Sequence, residues 1–281
     1  MIDYLYALIL GIVEGITEFL PVSSNGHLIV ASAVLHFPSE GFGVVDRKAF
    51  ADTFSIFIQL GAILALLLFY RVDLLQQMRQ LPKSEPTRRF WLYLLIAFLP
   101  AAAVGFLLRD WIKQVLFSPL VVGIALVVGG AVLLWVERKP LTPTVFLREK
   151  ITFRHALLIG IAQMAALIPG VSRSGASIVG GLLTGLDRRM ATVFSFYLAL
   201  PTLGVATVYE IVSALRKGYI VGVHLPLFFV GTVAAFIVAY TAVGWLLHYV
   251  ANGDFRLFGI YRIIAGGVII LLALFSTTFV G

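Results

Sequence analysis

Apolar residues run along this chain in blocks, and two of the blocks are broken in the same way. Residues 2–20 are apolar or glycine apart from Asp3, Glu14, Thr17 and Glu18; Pro21 then opens a turn of Ser23, Ser24, Asn25 and Gly26, and an apolar run resumes over 28–35. The second break separates 155–168 from 175–186 and contains Pro169, Gly170, Ser172, Arg173 and Ser174. Eight helical residues rise only about 12 Å, against a hydrocarbon core of about 30 Å. Each broken block therefore predicts a re-entrant helix–turn–helix with its tip inside the membrane. Irregular backbone at that depth must be wrapped by protein or line a water-filled cavity.

Six unbroken blocks, at 50–70, 90–108, 119–136, 190–214, 225–250 and 257–280, have the length of bilayer crossings. The order is one hairpin and three crossings, given twice, within a single membrane domain spanning 1–281. The expected fold is an all-α polytopic membrane protein with repeats at about 1–147 and 151–281. Aligned at an offset of 149, the two breaks share Gly11 with Gly160, Ile12 with Ile161, Val22 with Val171, Ser23 with Ser172 and Gly26 with Gly175. Further on, Phe54, Ser55 and Leu60 match Phe194, Ser195 and Leu200, and Gly123, Ile124 and Gly130 match Gly259, Ile260 and Gly266. Three crossings per repeat is an odd number, so the second copy is expected upside down relative to the first, an inverted-topology repeat.

Composition agrees with this reading: 60% of residues are hydrophobic, 12% are charged and the mean hydropathy is +1.00. The net charge of +7 does not indicate nucleic acid, because the basic residues sit in short loops and form no continuous face. Thirteen of them fall on one face of the topology (Arg71, Arg79, Lys83, Arg88, Arg89, Arg138, Lys139, Arg148, Lys150, Arg154, Arg188, Arg189, Arg256) and six on the other (Arg47, Lys48, Arg109, Lys113, Arg216, Lys217). By the positive-inside rule the richer face is cytoplasmic, which puts both termini and the mouth of the first hairpin outside. No basic n-region precedes the first apolar block, so no cleavable signal is expected. The absence of cysteine excludes thiol catalysis, disulfides and thiolate metal sites.

Chemistry concentrates in the breaks. Glu14 and Glu18 are four apart and share one helix face, and an acid at membrane depth costs about 2.5–3.5 kcal/mol. A hard divalent cation, Mg²⁺ or Ca²⁺, suits such an all-oxygen pair, whereas Zn²⁺ would want more than the single nearby His27. The plainer reading points both acids into water. Ser23, Ser24, Asn25 and Gly26 open a half-helix whose free N–H groups favour an anion, with His27 three residues beyond the Ser24 hydroxyl; ordinary N-capping is the competing account. Arg173 has no acid near it in sequence, and its planar fork among Ser172, Ser174 and Ser177 suits phosphate; the alternative is an arginine that snorkels to the surface. Gln59, mid-span, reaches either the first hairpin or a neighbouring helix. Arg262 is expected to snorkel, and the pairs Gly129, Gly130 and Gly266, Gly267 to permit close helix packing. Two acids, a cation, a hydroxyl, an imidazole and an arginine suit phosphoryl transfer to water.

At these residues the chain resembles the undecaprenyl-diphosphatase family of bacitracin-resistance membrane phosphatases. The likeness covers nearly the whole chain and rests on E-x-x-x-E at Glu14 and Glu18, running into FLPVSS-x-GH at Phe19 to His27, and on PG-x-SRS at Pro169 to Ser174. It implies removal of the terminal phosphate of undecaprenyl diphosphate on the outer side of the bacterial plasma membrane, recycling the carrier lipid for peptidoglycan synthesis with a divalent cation. It also implies metal binding and catalysis by Glu14 and Glu18, nucleophile and acid/base roles for Ser24 and His27, and a phosphate grip by Arg173, with Ser23, Asn25, Gly26, Ser172, Ser174 and Ser177 around the phosphates. Asn25 and Ser177 stand where the family usually has Thr. Whether Ser24, His27 or a metal-bound water attacks phosphorus stays open, and a homodimer is compatible with the chain. The competing class is an inverted-repeat secondary transporter or polyprenyl-phosphate flippase, which would not need the hydroxyl, imidazole and two acids together.

Overall fold

The computed structural model describes residues 2–39, 44, 46–139, 142–218 and 224–275, with the side chains of Asp110 and Lys113 outside the description. Its described residues form α1 (Ile2–Thr17), α2 (Ser24–Leu35), α3 (Arg47–Phe69), α4 (Arg71–Gln80), α5 (Glu85–Leu107), α6 (Arg109–Val115), α7 (Pro119–Arg138), α8 (Phe153–Met164), α9 (Arg173–Leu183), α10 (Arg188–Arg216), α11 (Leu225–Asn252) and α12 (Arg256–Phe275). Six of these, α3, α5, α7, α10, α11 and α12, are long and apolar enough to cross a bilayer. Leucines and phenylalanines such as Leu92, Leu95, Leu99 and Phe106 on α5 stay exposed, so the outer surface is apolar where a bilayer would solvate it. This is a multi-pass membrane protein.

Polar caps start several of the crossings, and α3 and α10 begin a few residues before their first apolar positions for that reason. Asp46 accepts from Ala49 N–H ahead of α3, Ser118 from Val121 N–H ahead of α7, and Asp187 from Met190 N–H ahead of α10. Each cap satisfies one of the donors that a helix start leaves free. The last positions of the expected final crossing, 276–280, lie outside the described residues. Two short helices were not expected: α4, inside the basic loop, and α6, after α5. Neither has an apolar run long enough to register as a block.

The broken blocks are helical hairpins. With α2 at 12 residues and α9 at 11, their second arms rise only about 16–18 Å, too short to cross. Both hairpins are wrapped: α1 packs on α11, and α8 packs on α5 and α9, while α3, α10 and α11 run beside them. One close seam joins α7 to α12 through glycines: a methyl on Gly130 would sit 2.6 Å from the Gly259 carbonyl oxygen, and one on Gly266 equally close to that of Gly123. The two helices run antiparallel there. Such glycine contacts let backbones approach where lipid supplies no hydrophobic drive.

Candidate active site

The two hairpin turns meet. Each arrives from a helix that ends near a proline, and each passes through a serine with φ of 74°, Ser23 before α2 and Ser172 before α9. Left-handed backbone at a non-glycine residue costs of order 1–3 kcal/mol and persists only where its surroundings impose it. That two such serines occupy matched positions ties the strain to what the turns do together. Between them lies a cavity whose polar wall is Glu18, Ser23, Ser24, Asn25, Gln59, Ser172 and Arg173, and whose apolar wall includes Ala166, Ile168 and Leu203.

Glu18 joins the hairpins. Its Oε2 accepts a 2.5 Å hydrogen bond from the Ser24 hydroxyl, and its Oε1 takes one from Arg173 Nη2 at 3.2 Å, an ion pair in which both side chains are at least nine-tenths buried. Arg173 therefore does not snorkel. Its other nitrogen, Nη1, donates to the Ser195 carbonyl at 2.9 Å, and the Ser195 hydroxyl accepts from Ser177 at 2.7 Å. Ser174 donates to the Leu20 carbonyl at 2.8 Å, stitching α9 to the end of the first arm, and Ser172 caps α9 through Gly175 N–H. Behind Glu18, one helical turn away, Glu14 is fully buried, with neither carboxylate oxygen hydrogen-bonded among the described residues. It does not point into water.

Gln59 does reach the first hairpin: its amide donates to Asn25 at 3.3 Å while Thr207 donates to its carbonyl oxygen at 3.5 Å. Gly26 lies where a methyl would come within 3.0 Å of Val122, so the turn is held close against α7. The structure does not bring His27 to Ser24. Its Nδ1 bonds the Ser23 carbonyl at 2.7 Å and its Nε2 the Tyr261 hydroxyl at 2.6 Å, with the two rings stacked.

Arg262, expected to snorkel, is 1% exposed instead. A guanidinium deep in the protein finds partners in carbonyl oxygens when no water is in reach, and those oxygens belong to the hairpin turns and α7. Sequence reasoning also missed Ser195 and Tyr261 as partners of site residues. The match of Ser195 with Ser55 in the repeat alignment was the one available signal; Tyr261 left none.

No third acidic or imidazole side chain joins Glu14 and Glu18 to make a protein-only cage among the described residues. The pair nonetheless fits a hard dication, which is commonly held by one or two carboxylates and completes its sphere with water and substrate phosphate. Glu14, buried and unpartnered, is the charge such an ion would satisfy.

The model of the bacitracin resistance protein BacA family matches residues 7–268. The chain belongs to the BacA family. Among curated relatives, undecaprenyl-diphosphatase 1 of Burkholderia lata is 49% identical over 96% of this chain and 95% of its own length. The undecaprenyl-diphosphatase of Laribacter hongkongensis is 47% identical over 94% and 93%. That of Burkholderia mallei is 47% identical over 96% and 95%. In this BacA-family chain the matched region contains both hairpin turns, and every residue that lines the cavity lies inside it.

Proposed function

We propose that this protein is an undecaprenyl-diphosphate phosphatase, cleaving the terminal phosphate and leaving the monophosphate carrier lipid. The observation that carries the reading is the chain of contacts Ser24 to Glu18 to Arg173, which puts a hydroxyl, a carboxylate and a guanidinium from two hairpins in one buried line. Arg173 suits phosphate oxygens bidentately, and a low-dielectric site makes its charge more effective than it would be in water. The apolar wall at Ala166, Ile168 and Leu203 is suited to the first units of a polyprenyl tail.

In the reaction the Ser24 oxygen attacks the terminal phosphorus and its proton passes to Glu18, the group its hydroxyl already addresses. The bond from that phosphorus to the bridging oxygen breaks, and the monophosphate lipid departs as an anion that needs no proton. Water then attacks the phosphoserine, Glu18 relays the protons, and inorganic phosphate leaves. Arg173 bears the charge gathering on the equatorial oxygens. Glu14 and Glu18 would hold Mg²⁺ or Ca²⁺, whose charge, when bound, offsets that of the diphosphate. His27, bonded to Ser23 and Tyr261, supports the turn's shape rather than the transferred proton.

We also propose that the halves are inverted copies with the cavity opening to the periplasm across a bacterial inner membrane. Three things support this: the matched serines at φ of 74°, the antiparallel glycine seam between corresponding helices α7 and α12, and the thirteen basic residues against six. The test of function is phosphate release in detergent, where no gradient can drive transport. Purified protein with Mg²⁺ or Ca²⁺ should release phosphate from a polyprenyl diphosphate, with turnover abolished by Glu18→Gln or Arg173→Ala. Protein that binds the lipid and releases no phosphate would sink the enzyme reading.

A further inference from the structure

Arg262 on α12 has no carboxylate within ion-pair distance among the described residues, yet it is almost wholly buried. Its charge rests on carbonyl oxygens: Pro21 at 3.1 Å from the first hairpin turn, Gly170 at 3.0 Å and Val171 at 2.9 Å from the second, with Ala125 and Leu126 of α7 at 3.4 and 3.5 Å. One planar fork thus touches both turns of the site and the helix behind them. No other side chain bonds the backbone of both turns among the described residues.

These are the turns in which Ser23 and Ser172 adopt φ of 74°. In a planar trans peptide the N–H points opposite to the C=O. With the Val171 carbonyl drawn to Arg262, the Ser172 N–H of the same peptide unit is turned away from it, and Ser172 lines the cavity. The seat for the guanidinium is cut into α7 as well: a methyl on Gly129 would fall on Arg262, 2.7 Å from Cζ. The first glycine of that pair therefore makes room for the arginine, while Gly130 serves the seam with Gly259.

We propose that Arg262 is a positioning residue for phosphoryl transfer, setting the spacing of the two hairpin turns so that Ser24 and Glu18 from one meet Arg173 from the other. The proposal rests on the phosphatase reading. It acts through the turns and not on the substrate, so losing it lowers turnover more than it weakens binding. A misplacement of about 1 Å in reacting groups costs on the order of 100-fold in rate.

The experiment compares full-length wild type, Arg262→Gln, Arg262→Lys and Gly129→Ala in detergent with Mg²⁺. It measures kcat and KM for a polyprenyl diphosphate per folded molecule. Arg262→Gln should lose about 100-fold in kcat with KM within about threefold, and Arg262→Lys, which keeps charge without the fork, about tenfold. Gly129→Ala keeps the arginine, favours the helix and displaces the fork, so it should also lose about tenfold in kcat. It decides the matter alone if the Arg262 variants fail to fold. Arg188→Gln, which breaks the ion pair to Glu137 elsewhere in the protein, controls for general destabilisation and should leave turnover per folded molecule unchanged. Variants that turn over at the wild-type rate overturn the proposal, as does a rise in KM at constant kcat, which would make Arg262 a binding charge. A wild type that releases no phosphate sinks the phosphatase reading and this inference together; an active wild type with unaffected variants sinks this inference alone.

Discussion

Glu18 is shared between a hydroxyl and a guanidinium, and the groups that hold its partners matter by degree. Ser195 offers Arg173 its backbone carbonyl at 2.9 Å and its hydroxyl only at 3.5 Å. Ser195→Ala keeps the stronger of these contacts and deletes the longer one together with the neutral hydrogen bond from Ser177 at 2.7 Å, a loss of about 1 kcal/mol. Phosphate release should fall about fivefold, against complete loss for Arg173→Ala; equal losses would mean that the hydroxyl, not the carbonyl, orients the arginine. Glu14, Glu18, Ser24 and Arg173 were legible in the sequence because polar and charged residues are costly in an apolar block. Arg262 was equally conspicuous, but its role was not, since its partners are backbone carbonyls that no residue type announces. His27 was read toward Ser24 from spacing and from the family resemblance, whereas its ring bonds Ser23 and Tyr261.

Elements on the far side from α6 are tied by a polar latch. Asp73 on α4 accepts from Tyr197 of α10, from Gln77 at 2.9 Å and from Arg148 at 3.1 Å, so the short helix and the 148–150 turn are fastened to a crossing. Burial alone would raise the Asp73 carboxyl, but the hydrogen bonds from Tyr197, Arg148 and Gln77 outweigh it and hold the group below the usual carboxylate range. A carboxyl depressed in the folded state contributes stability that is present above its unfolded value and lost as pH falls through the folded one. Thermal stability should therefore be insensitive to pH near neutrality and decline below about pH 4, with Asp73→Asn lowering it at neutral pH and removing part of that decline. Identical slopes in wild type and variant would sink this account. The crossings and both hairpins followed from block length, whereas α4 escaped notice because its helical face is made against Tyr197, a partner 120 or more residues away.

At the scale of the whole molecule, a chain without cysteine invites labelling, since any thiol introduced is the sole reporter. Single cysteines at Arg79 and at Lys217, on opposite faces of the expected topology, should react with a membrane-impermeant maleimide in intact spheroplasts only at Lys217. Labelling of position 79 alone would reverse the orientation. The 3.2 Å contact between Glu18 of the first half and Arg173 of the second has a genetic corollary. A lesion in either half leaves the other with nothing to act on, so two full-length chains, one Glu18→Gln and one Arg173→Ala, expressed together should yield membranes with no phosphate release. Restored activity would show that neighbouring chains trade halves in the bilayer, and that the heritable unit of this site is the pair of hairpins, whichever chain supplies each.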